Sequence, residues 1–158
     1  MRRSLCMLAL LVFVTSAHAD VTSEPIGPLR LGMTEAKVAK AAGAPSTKQK
    51  PTFAGEATSD WEKVWIYPGV VVTFYADTEK GPTWRIRSIE VAANSAWKTK
   101  RGIGIGASRA RVKKAYARLE DKQAPSEGKF VAGSVYGGVI FTFADDKVAD
   151  IFVGAAAF

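Results

Sequence analysis

The chain has 158 residues, with 22 lysines and arginines against 15 acidic residues, a formal net charge of +7, one cysteine and one histidine. That cysteine and histidine, Cys6 and His18, both fall within the first 19 residues. The remainder therefore lacks the side chains for a Ser-His-Asp or Cys-His site, a thiolate or imidazole zinc site, or a disulfide.

The first 19 residues read as a leader. Arg2 and Arg3 precede an apolar run over residues 5–14, about ten residues long and short of the roughly 20 that span a bilayer. Ala17, His18 and Ala19 give a small-x-small pattern before Asp20, so cleavage is expected after Ala19. Cys6 stands before the apolar run, which argues against a lipid anchor. The expected product is periplasmic or secreted, with 139 residues (158 minus 19) and 20 basic residues (22 minus Arg2 and Arg3) against 15 acidic ones. It contains no further apolar stretch of membrane-spanning length, and its size suits one domain, residues 20–158.

In chain order, Thr34 offers a hydroxyl N-cap and Glu35 an acid at the positive end of a helix. Val38, Ala41 and Ala42 give that helix one apolar stripe, and Gly43-Ala44-Pro45 stops it. Strands are predicted over 64–67 and 70–75, joined by Pro68-Gly69, and over 84–91 after a turn within 76–82. Residues 93–101 link to a second half and end in a flexible run around Gly102. Ser108 then caps a second helix with Val112, Ala115 and Tyr116 on its apolar stripe, ending near Arg118. Strands follow over 131–136, 139–144 and 148–153, with turns near Gly137-Gly138 and Asp145-Asp146.

The two halves match in sequence. Leu29-Arg30-Leu31-Gly32-Met33-Thr34 falls on Ile103-Gly104-Ile105-Gly106-Ala107-Ser108 at an offset of 74, and Val38 falls on Val112. The segment YPGVVVTF at 67–74 falls on YGGVIFTF at 136–143 at an offset of 69. Ile86, Ile89 and Val91 fall on Val148, Ile151 and Val153 at an offset of 62. Three matches in one order point to a duplication. The predicted fold is α+β: two tandem αβββ repeats, about 26–92 and 102–158, forming one antiparallel sheet with short helices on one face.

A helix opening of the LGMT type, a short helix ending in Gly-Ala-Pro and a Tyr-x-Gly hairpin, given twice, resembles the β-lactamase-inhibitor-protein-like fold. That superfamily includes the small outer-membrane assembly lipoproteins of the SmpA/OmlA type. The resemblance covers most of residues 26–153 and implies a curved sheet that grips a partner protein. Two copies without a lipobox place the chain nearer the inhibitor group, from which it departs by having no cysteine pair in either half.

Candidate chemistry is sparse, and no catalytic residue, metal or cofactor is expected. The carboxylate pairs Asp60/Glu62, Asp77/Glu79 and Asp145/Asp146 lie in or beside predicted turns, where acids serve local hydrogen bonds. Residues 102–106 (GIGIG) lack the strand-GxGxxG and Gly-Lys-Ser/Thr orders of nucleotide loops. The basic group formed by Lys98, Lys100, Arg101, Arg109, Arg111, Lys113, Lys114 and Arg118 reads as a solvated helix face, or as a patch for anionic envelope surfaces. Strand alternation sets Trp61, Trp65 and Tyr67 opposite Val64 and Ile66. With Val64 and Ile66 assigned to the core, Trp61, Trp65 and Tyr67, joined by Tyr75 and Tyr136, line an open face as binding anchors. Trp84 and Phe141 are assigned to the core.

The leading functional expectation is an exported protein-binding module of inhibitor type that uses this open face, with a protein partner in the envelope or outside the cell and no nucleic acid. The alternative is an envelope-maintenance or outer-membrane assembly accessory. Ranked behind both is a glycosidase-like enzyme acting on cell-wall sugars.

Overall fold

A computed structural model describes residues 24–56, 58–124, 127–134 and 136–155; the leader and its expected cleavage position lie outside these residues. Chain order is α1 (Glu35–Ala42), β1 (Thr47–Lys48), β2 (Thr52–Phe53), β3 (Trp61–Tyr67), β4 (Val70–Ala76) and β5 (Arg85–Val91). Then come α2 (Arg109–Tyr116), which runs into a single 3-10 turn over Ala117–Leu119, and β6 (Lys129–Ser134), β7 (Gly137–Ala144) and β8 (Lys147–Gly154). The eight strands form one antiparallel sheet in the order β1-β3-β4-β5-β8-β7-β6, with β2 also on β3. The α+β class is as expected. Two elements were not: the short β1 and β2. The first long strand also begins at Trp61 rather than at 64, and Gly137 and Gly138 lie within β7.

Both helices are eight residues long, too short to persist alone. Thr34 and Ser108 precede them in extended conformation, and Ser108 Oγ accepts from the Arg111 N–H at 3.3 Å. The first helical N–H groups are bound by the sheet: Glu35 N–H donates to the Trp84 carbonyl at 3.1 Å and Arg109 N–H to the Asp146 carbonyl at 2.9 Å. Gly43 ends α1 at φ 77° with its N–H on the Ala39 carbonyl. Ala117 instead stays right-handed, so the chain after α2 tightens into the 3-10 turn.

Val38 from α1 and Val112 and Tyr116 from α2 pack on the same side of the sheet, against Trp65, Tyr67, Phe74, Ile89, Phe141 and Ile151. The Tyr116 and Phe141 rings lie 5.0 Å apart, and the Tyr67 hydroxyl donates to the Gly43 carbonyl at 3.2 Å. The helices therefore share one face, and the opposite face carries neither of them.

Two bulges set which side chains reach that core. β4 pairs β5 through Thr73↔Ser88 and Phe74↔Ile86, leaving Arg87 as the extra residue. β7 pairs β8 through Thr142↔Asp150 and Phe143↔Val148, leaving Ala149 extra. Strict alternation would send Ile86 and Ile89, three apart, to opposite faces; the extra residue returns both to the core. Val148 and Ile151 are both buried in the same way.

The two halves meet at β5 and β8, through Ile89↔Val153, Glu90↔Phe152 and Val91↔Ile151. The four aliphatic residues of this seam are 0% exposed. The outer edges are shielded: β1 and β2 cover β3, and the Asp121 N–H bonds the Val131 carbonyl at 2.9 Å beside β6.

The joining segment is not the free run expected around Gly102. Thr99 N–H donates to the Ile103 carbonyl and Gly102 N–H to the Thr99 carbonyl, closing a tight turn. Residues 24–29 strap across it: Gly27 N–H meets the Lys98 carbonyl at 2.8 Å and Lys100 N–H the Pro25 carbonyl at 3.1 Å. Ile26, Leu29 and Ile103 are thereby buried, and Tyr116 donates its hydroxyl to Glu24 Oε1 at 2.9 Å. Burial first, and Glu24 in addition, push the Tyr116 phenol far above its usual range. The Pro68-Gly69 turn is also covered. Gly69 has φ 66°, and a Cβ there would stand 2.7 Å from the Ser95 nitrogen.

Ile151→Ala removes buried volume at the seam and is expected to cost about 2–5 kcal/mol, read by urea denaturation. Lys147→Ala, at an exposed position of the same strand, is expected to change stability by less than about 0.5 kcal/mol.

Candidate functional site

The face without helices carries a continuous row of directly paired residues: Ile66, Val71, Glu90, Phe152, Ile140 and Val131. Five of the six are apolar. Ile66, Val71 and Phe152 are half-buried and Glu90 is exposed. Ile140 and Val131 are buried yet stand outside the helix-side core cluster. Direct cross-strand neighbours lie about 4.5–5.5 Å apart at Cβ, so the row forms an apolar band interrupted once, by Glu90.

A second acid lies diagonally beside Glu90. Asp150, two residues before Phe152 on β8, pairs with Thr142 and is half-buried. Its carboxyl is pushed above the usual value, first by burial and then by the Glu90 charge. Among the described residues neither Glu90 nor Asp150 is in an ion pair. Glu90 is exposed, whereas the burial of Asp150 and its closeness to Glu90 disfavour a second negative charge there.

The end of the face at β3 is balanced internally. Arg87, the bulge residue, is bound to Asp60 and has its guanidinium 4.9 Å from the Tyr75 ring centre. Its Nε lies 3.1 Å from Glu62 Oε1 but off the line a hydrogen bond needs. The pair Asp60/Glu62, considered above for sugar chemistry, is thus drawn to one arginine. Asp145 and Asp146 occupy a turn at φ 49° and 62°, with Asp146 on Arg109 Nε at 2.6 Å.

The five aromatic residues expected on the open face do not assemble there. Trp65 and Tyr67 are 1% and 6% exposed and belong to the helix-side core. Trp61, on their side of β3, is half-buried and meets the Phe53 ring edge-on at 5.8 Å. Tyr75 alone lies on the open face, beneath Arg87, while Tyr136 is 78% exposed at the β6–β7 turn. The reason is volume. α1 (EAKVAKAA) buries only Val38 among its eight residues, so the large rings of the sheet must fill the space beneath it. Val64 and Ile66 are left for the other side. Trp84 and Phe141 are buried as expected.

A cleft of about 530 Å³ opens on the helix side, lined in part by Thr34, Glu35, Lys48, Trp65 and Trp84. The chain's own cations already occupy its aromatic faces. Lys48 Nζ is 4.2 Å from the Trp65 ring, and Lys63 Nζ is 4.3 Å from Trp84 and 2.6 Å from Glu35 Oε2. Comparison with known protein families, curated proteins and solved structures finds no match to this chain.

The strained carboxylate gives a signed pH prediction. A raised folded-state value means that Asp150 stabilises the fold below its usual 3.8 relative to neutral pH, and that this contribution is lost as pH rises through the raised value. Asp150→Asn should raise the thermal midpoint at neutral pH, and the gain should vanish below pH 3.8. Separately, Trp65→Ala should cost about 3–5 kcal/mol in denaturant melts, whereas Tyr136→Ala should cost less than about 0.5 kcal/mol.

Proposed function

We propose that this chain is an exported protein-binding module, periplasmic or secreted, built by duplication of an αβββ unit and binding through the helix-free face of its sheet. The observation that carries the binding reading is the accessible part of the row, Ile66 and Val71 from one half and Phe152 from the other, with Glu90 between them and in no ion pair among the described residues. Apolar area supplies association energy, and the exposed charge of Glu90 supplies selectivity. An apolar side chain flanked by lysine or arginine is the partner feature that fits.

Support for duplication comes from bonds made at corresponding positions. Gly32 and Gly106 donate to the carbonyls of Ile86 and Val148, and Ile86 and Val148 donate back to Met33 and Ala107. The bulges at Thr73/Phe74 and Thr142/Phe143 correspond at the offset of 69. Across the seam, Glu90 faces Phe152, its own counterpart at the offset of 62, as a two-fold relation requires. A duplicated helix-plus-hairpin unit accords with the resemblance to the β-lactamase-inhibitor-protein-like fold. The alternative role, as an accessory of envelope maintenance, draws support from the basic surface on the helix side.

The test is capture from an envelope extract on immobilised residues 20–158, repeated with Val71→Asp and Phe152→Asp. Both substitutions add charge to the face without removing core volume. One dominant protein, lost by about tenfold or more in both variants, supports the face. Retention by both variants at the wild-type level refutes it.

A further inference from the structure

The stretch 91–119 carries eight of the 22 lysines and arginines and no aspartate or glutamate. Folding concentrates them. Arg111 donates to the Gly102 carbonyl at 3.4 Å and Arg101 to the Ala115 carbonyl at 3.1 Å, so the joining segment lies along α2. Val112 and Tyr116 point inward, which leaves the charged positions of α2 outward. Arg111, Lys113 and Lys114 lie on α2, Arg118 lies in the 3-10 turn that follows it, and Lys98 and Lys100 are contributed by the joining segment. All six are exposed, and among the described residues none of the six is in an ion pair. The other two cations are committed, Arg101 to Glu24 and Arg109 to Asp146.

We infer that the outer surface of α2 and the adjoining segment docks on a membrane surface rich in phosphate headgroups. Three observations favour a lipid surface over an acidic protein or a nucleic acid. The only large exposed apolar side chains among the described residues are Phe53 and Tyr136, and neither lies in this stretch, so the patch has no anchor of the kind protein interfaces use. It also has no exposed aromatic on which a base would stack. Its six exposed cations, three on α2 and three on the segments that adjoin it, suit many loosely placed phosphates, and each such cation adds to the attraction of an anionic leaflet. The acids of the open sheet face, Glu62, Glu90 and Asp150, lie on the opposite side from the helices. Docking by the helix layer therefore turns the sheet face away from the membrane. This inference goes beyond the protein-binding reading and stands without it.

The experiment is co-sedimentation of residues 20–158, which include every described residue, with vesicles of phosphatidylglycerol and phosphatidylcholine or of phosphatidylcholine alone. Binding is expected only to the anionic vesicles, and it should weaken as salt rises from low levels to about 0.15 M. The variant Lys113→Gln/Lys114→Gln/Arg118→Gln should lose at least about tenfold in partitioning. Lys37→Gln/Lys40→Gln/Lys147→Gln, with the same charge loss outside the patch, should lose less than about threefold. Circular dichroism confirms that each variant is folded. Equal loss in the two triple variants would reduce the effect to net charge and overturn the inference. So would equal binding to phosphatidylcholine, or release of the protein from vesicles by duplex DNA at equal phosphate concentration.

Discussion

The pairing of β5 with β8 is the contact on which the rest of the structure depends. Only three residue pairs make it, yet they join β1–β5 of the first half to β6–β8 of the second in one sheet. A smaller unit buries a smaller fraction of its surface than the joined sheet does, so each half gains from the seam. At the seam Ile89, Val91, Ile151 and Val153 are fully enclosed by material from both halves. Because the central strands run antiparallel, both helices are brought to the same side. The strap from Glu24 to Leu29 and the turn at Thr99 to Ile103 then close the gap between α2 and the sheet.

This arrangement divides the surface by chemistry. Short helices poor in large side chains require the sheet to supply the core volume, and Trp65, Tyr67, Phe74 and Phe141 do so. What remains for the other face includes a band of aliphatic residues, Phe152, and the acids Glu62, Glu90 and Asp150. The positive charge of the second half is left on the helix layer, because α2 spends its inward positions on Val112 and Tyr116. A basic layer and an apolar acidic face thus sit back to back.

Much of the fold was legible in the sequence. Thr34, Ser108 and Gly43 marked helix ends, and Pro68-Gly69 and Asp145-Asp146 marked turns, because each of these signals acts through local backbone geometry. The face of β3 was not legible. Its two alternating sets, Trp61/Trp65/Tyr67 and Val64/Ile66, are both apolar enough for a core, and alternation alone does not choose between them. The choice rested on the volume beneath α1, which the alanines of EAKVAKAA could have signalled. Glu90, Asp150 and Phe152 were missed as site residues because the bulges shift the phase of β5 and β8. The spacing of Ile86, Ile89 and Val91, odd and then even, is the trace the bulge leaves in the sequence. The joining segment looked free because its glycines suggested mobility, whereas its bonds come from distant residues 25–27.

The most direct test of the account is native-state hydrogen exchange on residues 20–158, followed amide by amide. If the seam holds the two halves together as one cooperative unit, the amides of Ile89, Val91, Ile151 and Val153 that are bonded in the sheet should exchange slowest. Their opening energies should equal the global stability from denaturant melts and respond identically to denaturant. If β6, β7 and β8 open together at a markedly lower free energy while β3, β4 and β5 stay protected, the halves are independent and the central claim fails.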